Sequence, residues 1–389
     1  MHEGRFVFAQ LMDFFPKREF QQCVDRYRGN HRLRQLSCRD QFLAMLFAQL
    51  TYRESLRDVE TCLRTMGEKL YHAGFRGKVA RSTLADANEQ RDWRIYYDFA
   101  QILIRRARWL YVDQPFDTVL ERTTYALDST TIELCLSLFP WAHSQRQKAA
   151  IKLHTLLDLR GNIPCFVRLS TTKMADSAML DQLLPEAGSF YIMDRGYNDF
   201  ARLRRWTEAH AFFVVRCRRN ITFTRSASRA VDRTGGLRSD QTVHLRDRRT
   251  RKHYPQALRR VTFYDAGNRR RFILLTNAFH LPALSIPQLY KSRWQVELFF
   301  KWIKQHLRIK HFFGHSPNAV KTQVWIAISA YVLAAILRRE LQVERSLHEI
   351  LQILSLSLFE KTPDLQAFLK QTHHTTNTTY ANQLPLFDF

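Results

Sequence analysis

Apolar residues recur at helical spacing through the first part of the chain, and then the rhythm changes. Phe42, Met45, Leu46, Gln49 and Leu50 fall on one face of a helix turning about 100° per residue. Gly and Pro rarely interrupt this region. Ser55 precedes one such stretch, and Ser82-Thr83-Leu-Ala-Asp86 opens another with a capping-box pattern, where a hydroxyl accepts an orphan N–H of the first turn. The pattern predicts a helical domain over 1–120. Short helices before one carrying Arg81, Ser82, Thr83, Asn88 and Arg91 fit a helix-turn-helix and fit a plain helical hairpin equally well.

From Thr124 the spacing turns strand-like. Strands are predicted over 125–128, 150–158 and 163–169, with a tight Arg160-Gly161-Asn162 turn between the last two. A helix over 177–184, a strand over 190–194, a helix over 198–209 and a strand over 211–216 follow. This βββαβαβ order is that of a ribonuclease-H-like fold, an α/β class with a mixed sheet. A basic β-rich insertion over 217–273 interrupts that core, which occupies 121–216 and resumes over 274–315. C-terminal helices and a polar tail fill 316–389, a candidate dimerisation region.

Charge narrows the partner. The chain has 60 Lys and Arg against 36 Asp and Glu, a net charge of +24. Residues 216–271 hold 17 of the cations and only four Asp, more than half of that surplus. Such an excess favours a polyanion, because neutralised phosphates release counterions. Arg248, Arg249, Arg251 and Lys252 form its densest run and are candidate backbone contacts with double-stranded DNA; a solvated surface is the plainer reading. The apolar run 324–337 is too short to span a bilayer and reads as a buried helix. Glu3, Arg5 and Asp13 break any signal-peptide pattern, so no membrane partner and a cytoplasmic, nucleoid-associated location are expected. Six scattered cysteines lack zinc or disulfide spacing.

Candidate chemistry lies in carboxylates. Asp128 ends the first predicted strand, and Asp194 ends the fourth in Met-Asp-Arg-Gly-Tyr, where Gly196 permits a sharp turn. Those strands are neighbours in a ribonuclease-H-like sheet. Glu297 lies in Tyr290-Lys-Ser-Arg293-Trp-Gln-Val-Glu297-Leu-Phe-Phe-Lys301-Trp-Ile-Lys304, where a continuous helix places Tyr290, Arg293, Glu297 and Lys304 on one stripe. Leu289, Val296, Phe300, Ile303 and Leu307 form the apolar face beside it. Most amphipathic helices carry such charges in solvent. Here two strand-end aspartates and a basic insertion make a site for two Mg²⁺ ions facing a phosphodiester the more specific reading. Asp158 and Asp176 read as turn residues and His154 as packed core.

Tyr290, Arg293, Glu297 and Lys304 match without gaps the Tyr-x2-Arg-x3-Glu-x6-Lys signature of one group of bacterial insertion-sequence transposases with an Asp-Asp-Glu triad. Asp194-Arg-Gly-Tyr197 resembles the region around their second Asp, and the resemblance extends over nearly the whole chain. It implies a DNA transposase in which Asp128, Asp194 and Glu297 bind Mg²⁺, with Mn²⁺ as a substitute. Tyr290, Arg293 and Lys304 would hold the DNA end. It further implies cut-and-paste transposition by a homodimer that pairs terminal inverted repeats and joins them to target DNA. Some relatives stack a flipped base on a Trp in the insertion. No Trp lies between 217 and 273 here; Phe223, Tyr254, Phe263 and Tyr264 are the candidates to replace it. The rivals are a stand-alone nuclease and a non-enzymatic DNA-binding regulator.

Overall fold

Serine caps start two of the N-terminal helices, and one of them is the Ser55 start that the sequence suggests. The structure, a computed structural model, describes residues 4–31, 33, 35–114, 122–142, 149–307 and 312–370. The Ser37 hydroxyl accepts the Asp40 N–H and begins helix Cys38–Leu50, while Ser55 accepts the Asp58 N–H and begins Leu56–Thr65. The other expected start, at Ser82, differs. Helix Arg81–Gln90 opens one residue before Ser82, without a side-chain cap, because Glu60 of the neighbouring helix accepts the Arg81 N–H at 3.2 Å.

Nor do Asn88 and Arg91 face outward as a DNA reader requires. Asn88 is buried and accepts from Gln41 at 2.8 Å, and Arg91 donates to the same Gln41 at 2.8 Å. Both fasten helix Arg81–Gln90 to the core.

Strand β1 (Arg5–Phe6) begins the chain's pairing, and the main sheet starts at β2. It holds β2 (Thr124–Leu134), β3 (Ala149–Asp158), β4 (Ile163–Thr171), β5 (Phe190–Met193), β6 (Phe212–Arg216), β7 (Phe223–Arg229), β8 (Leu237–Leu245), β9 (Leu258–Asp265) and β10 (Arg270–Thr276). Its order is β4-β3-β2-β5-β6-β10-β9-β8-β7. The first three strands are antiparallel, and β5 and β6 run parallel to β2. That is the ribonuclease-H-like order. Arg160-Gly161-Asn162 makes the β3–β4 turn with Gly161 and Asn162 both at positive φ. The expected helix over 177–184 is only a 3-10 turn, Asp176–Asp181.

The basic segment is folded as β structure, as expected, and it extends the core sheet. Strand β10 pairs antiparallel with β6, and β9, β8 and β7 continue outward. Part of its positive charge is structural. Arg259 is buried, pairs with Asp240 at 2.9 Å and donates to the Leu281 carbonyl at 2.6 Å.

Period-two alternation gives the sheet two apolar faces. Ala126, Phe190, Ile192 and Val214 face a layer built from N-terminal and C-terminal helices together, whereas Tyr125, Leu127, Tyr191, Met193, Phe213 and Val215 face helix Phe200–Glu208. Burial on both faces explains why β5 is wholly apolar. Helix Pro317–Glu340 is long and apolar enough to cross a membrane, yet 94% of its apolar window is buried inside the protein. It lies along helices Arg94–Leu110 and Cys38–Leu50, tied by the Tyr111 hydroxyl to the Ala335 carbonyl at 3.0 Å. Strand β11 (Lys361–Thr362) then pairs with β1 and closes this layer.

Candidate active site

Sheet register brings the two aspartates together. Leu127 pairs with Met193 as the last parallel step between β2 and β5. Asp128 and Asp194 are therefore the next residues on adjacent strands. There β2 continues alongside β3, while β5 stops and turns, which opens a crevice beyond the carboxyl end of β5. Open α/β sheets place ligands in such crevices. Gly196 follows in that turn without a positive φ; what it allows is close approach, since a Cβ there would lie 3.2 Å from Asp176 Oδ2.

The signature stretch is not one helix. Ser285–Lys291 ends at Ser292, and Trp294–Leu307 begins after Arg293, so Tyr290 and Glu297 sit on different helices. The break turns the Arg293 side chain into the crevice. Its Nη1 donates to Asp128 Oδ2 at 2.5 Å, and its Nη2 donates to Glu297 Oε1. The Tyr290 hydroxyl donates to Asp194 Oδ1 at 3.1 Å, and Arg216 Nη1 lies 3.9 Å from the same oxygen. Arg216 is a site residue that the sequence reading missed; its only signal was a basic residue ending a core strand.

Burial raises the Asp128 carboxyl from 3.8 to about 6 against the pull of Arg293 and the Ser129 N–H, and nearby Asp194 and Glu297 push it further up. Burial likewise raises the Tyr290 hydroxyl to about 12. For Arg293 burial works downward, but Asp128, Tyr290 and Glu297 outweigh it and hold the guanidinium charged. Arg293 links Asp128 to Glu297, and Asp194 follows the neighbouring strand, so the three side chains supply oxygen donors of the type a hard divalent cation takes. No three acidic, His or Cys groups among the described residues stand at metal-ligating spacing. In this structure Arg293 is the cation that draws Asp128 and Glu297 together.

A groove of about 470 Å³ runs from these groups, lined by Arg216, Arg270, Lys291, Arg293, Trp294 and Glu297 among others. Trp294 is 59% exposed, while Phe299, Phe300 and Trp302 are core. Lys304 is not brought to the triad. It lines a separate surface recess with Tyr52, Lys301 and His348.

Arg248, Arg249, Arg251 and Lys252 are exposed on a short helix, Arg248–His253, capped by Asp247. Of the aromatic candidates in the basic segment, Tyr254 and Phe263 are buried. Phe223 and Tyr264 are half-buried beneath Arg260 and Arg238. Asp158 lies three residues back along the paired strands and caps the Arg160 N–H at 3.0 Å, a turn residue as expected. His154 is packed, also as expected. All six cysteines are free.

A ribonuclease-H-like sheet with Asp128 inside β2, not at its end as expected, Asp194 just beyond the neighbouring β5, and a helix-borne glutamate facing a basic groove defines a nucleic-acid phosphoryl-transfer protein. Residues 120–333 match the transposase DDE domain family, and residues 3–76 match a domain of unknown function (DUF4372). The chain is 31% identical over 282 residues to a Sinorhizobium fredii protein named as a transposase, y4zB, covering 72% of this chain and 77% of that one. It is 34% identical over 212 residues to a Geobacillus stearothermophilus protein named as a transposase for insertion sequence element IS5377. That match covers 53% of this chain and about half, 54%, of the relative. A solved synaptic complex of piggyBac transposase with hairpin DNA aligns over 95% of this chain at 11% identity and a TM-score of 0.47, too distant to carry an inference. The chain belongs to the DDE transposase family, whose members generally use divalent metal ions.

Proposed function

We propose that this protein is a cut-and-paste transposase of the Tyr-Arg-Glu-Lys subgroup, cleaving insertion-sequence ends and joining them to target DNA. The observation that carries the reading is that Arg293 bonds both Asp128 and Glu297 and Tyr290 bonds Asp194, while Tyr290, Arg293 and Glu297 themselves line a basic groove. The three carboxylates would hold Mg²⁺, with Mn²⁺ able to replace it. When bound, these ions supply Lewis-acid stabilisation to an in-line phosphoryl transfer.

The chain's own residues do the rest. Tyr290 orients the Asp194 carboxylate, and Arg293 spans Asp128 and Glu297. Arg216, Arg270 and Lys291 line the path a DNA backbone takes to the carboxylates. A homodimer would present two such sites to the paired terminal inverted repeats of an element within the bacterial cytoplasm.

Incubating the protein with its flanking element DNA and Mg²⁺, then sequencing the products, tests this. Nicked ends and joined strands are expected from wild type, and neither from Asp194→Ala or Glu297→Ala despite retained end binding. Cleavage without joining would make the protein a nuclease. Mg²⁺-indifferent binding without any cleavage would make it a regulator.

A further inference from the structure

Asp176 is a fourth carboxylate beside the triad that the proposed reaction leaves without a part. Its Oδ1 accepts from the Ser129 hydroxyl at 2.6 Å and from Lys152 Nζ at 3.1 Å, and Lys152 also donates to the Met174 carbonyl at 3.1 Å. Its Oδ2 lies so close to Gly196 that a Cβ there would stand 3.2 Å away.

Ser129 follows Asp128, and its N–H donates to Asp128 Oδ1 at 2.8 Å. Gly196 lies two residues beyond Asp194. One side chain thus touches both segments that carry these two aspartates. A turn residue would cap its own turn, yet the hydrogen bonds of Asp176 among the described residues go to Ser129 and Lys152. The buried Tyr197 hydroxyl, without a hydrogen-bond partner among the described residues, lies in the field of Asp128, Asp176 and Asp194, and buried His154 Nδ1 lies 3.9 Å from Asp176 Oδ1.

We propose that Asp176 is a positioning residue that fixes the separation of Asp128 and Asp194, held through Ser129 on one side and against Gly196 on the other. Lys152 offsets the repulsion that a fourth negative charge would add. The inference rests on the triad reading above. Partners that orient metal-binding carboxylates typically govern about 10- to 100-fold in metal affinity or activity.

The test uses the full chain carrying Asp176→Asn, Ser129→Ala or both. Two quantities are read against Mg²⁺ concentration: the rise in melting temperature and single-turnover cleavage of an element end. Asp176→Asn should need roughly 10- to 100-fold more Mg²⁺ for half-saturation of both. Its metal-free melting temperature and its end binding should match wild type. Ser129→Ala should shift the requirement less, and the shift in the double variant should depart from the product of the two single shifts, because the amide oxygen at 176 still accepts from Ser129 and the two changes act on one contact. A wild-type Mg²⁺ requirement in Asp176→Asn overturns the proposal. So does a loss of metal-free stability large enough to explain the slower cleavage. If wild type itself neither cleaves nor responds to Mg²⁺, the triad reading falls and takes this one with it.

Discussion

Replacing Asp128 with asparagine should strengthen the fold while ending cleavage. Burial raises its carboxyl from 3.8 to about 6, even with Arg293 Nη1 at 2.5 Å. At roughly 1.4 kcal/mol per pH unit, a displacement of about 2 pH units makes ionisation about 3 kcal/mol harder in the folded than in the unfolded chain. The side chain is 20% exposed, so solvent screening removes little of this. A raised carboxyl contributes stability that is fully present below pH 3.8 and lost as the pH rises through about 6. Asparagine stands in for the protonated acid at every pH. Urea-unfolding midpoints without divalent cations should therefore coincide for wild type and Asp128→Asn at about pH 3.5. They should separate in favour of the variant up to about pH 7. Adding Mg²⁺ should then stabilise wild type alone, by about 2.7 kcal/mol at a hundredfold excess over the dissociation constant. A variant less stable than wild type at pH 7 would show that the Arg293 pair outweighs burial, and a difference unchanged by pH would show that the two effects cancel.

Three further outcomes follow from the geometry. Tyr290→Phe removes the hydroxyl bonded to Asp194 and should slow single-turnover cleavage roughly tenfold or more, as removal of a carboxylate's partner does; an unchanged rate would leave only the ring at work. Converting Arg248, Arg249, Arg251 and Lys252 to glutamine should weaken specific and random DNA alike and lower the log–log salt slope by up to about 0.9 for each phosphate left unneutralised; weakening of the specific complex alone would make that helix a base reader. Lys304→Ala, in its separate recess, should weaken end binding while leaving the metal-free melting temperature unchanged; wild-type binding and cleavage would make it a solvated lysine.

The two aspartates were legible because two apolar runs each stop at an Asp and parallel register brings those positions together, although β2 itself runs on to Leu134 beside β3. The helix stripe was only half legible. Periodicity assumes an unbroken helix, and nothing in Lys291-Ser292-Arg293-Trp294 signals a stop, as Gly or Pro would. The break has a tertiary partner, the bonding of Arg293 to Asp128 across 165 positions, which local pattern cannot contain. Asn88 and Arg91 left two readings open for a related reason. Polar residues on a helix of a +24 protein suggest DNA contacts, but Gln41 waits inside to bond them.

The basic segment shows the limit of reading charge. Its surplus foretells a polyanionic partner, yet surplus carries no information about place. Some cations serve the fold, as Arg259 does within the sheet, and others crown a short exposed helix. What places the remainder beside the carboxylates is the long-range pairing of β10 with β6. Strand β6 ends at Arg216, which reaches toward Asp194, and β10 contributes Arg270 to the same groove. By adding strands to the core sheet edge, the segment makes the groove wall continuous with the strands that carry the aspartates. Backbone contacts and carboxylates thus share one rigid frame, as positioning a phosphate for in-line attack demands.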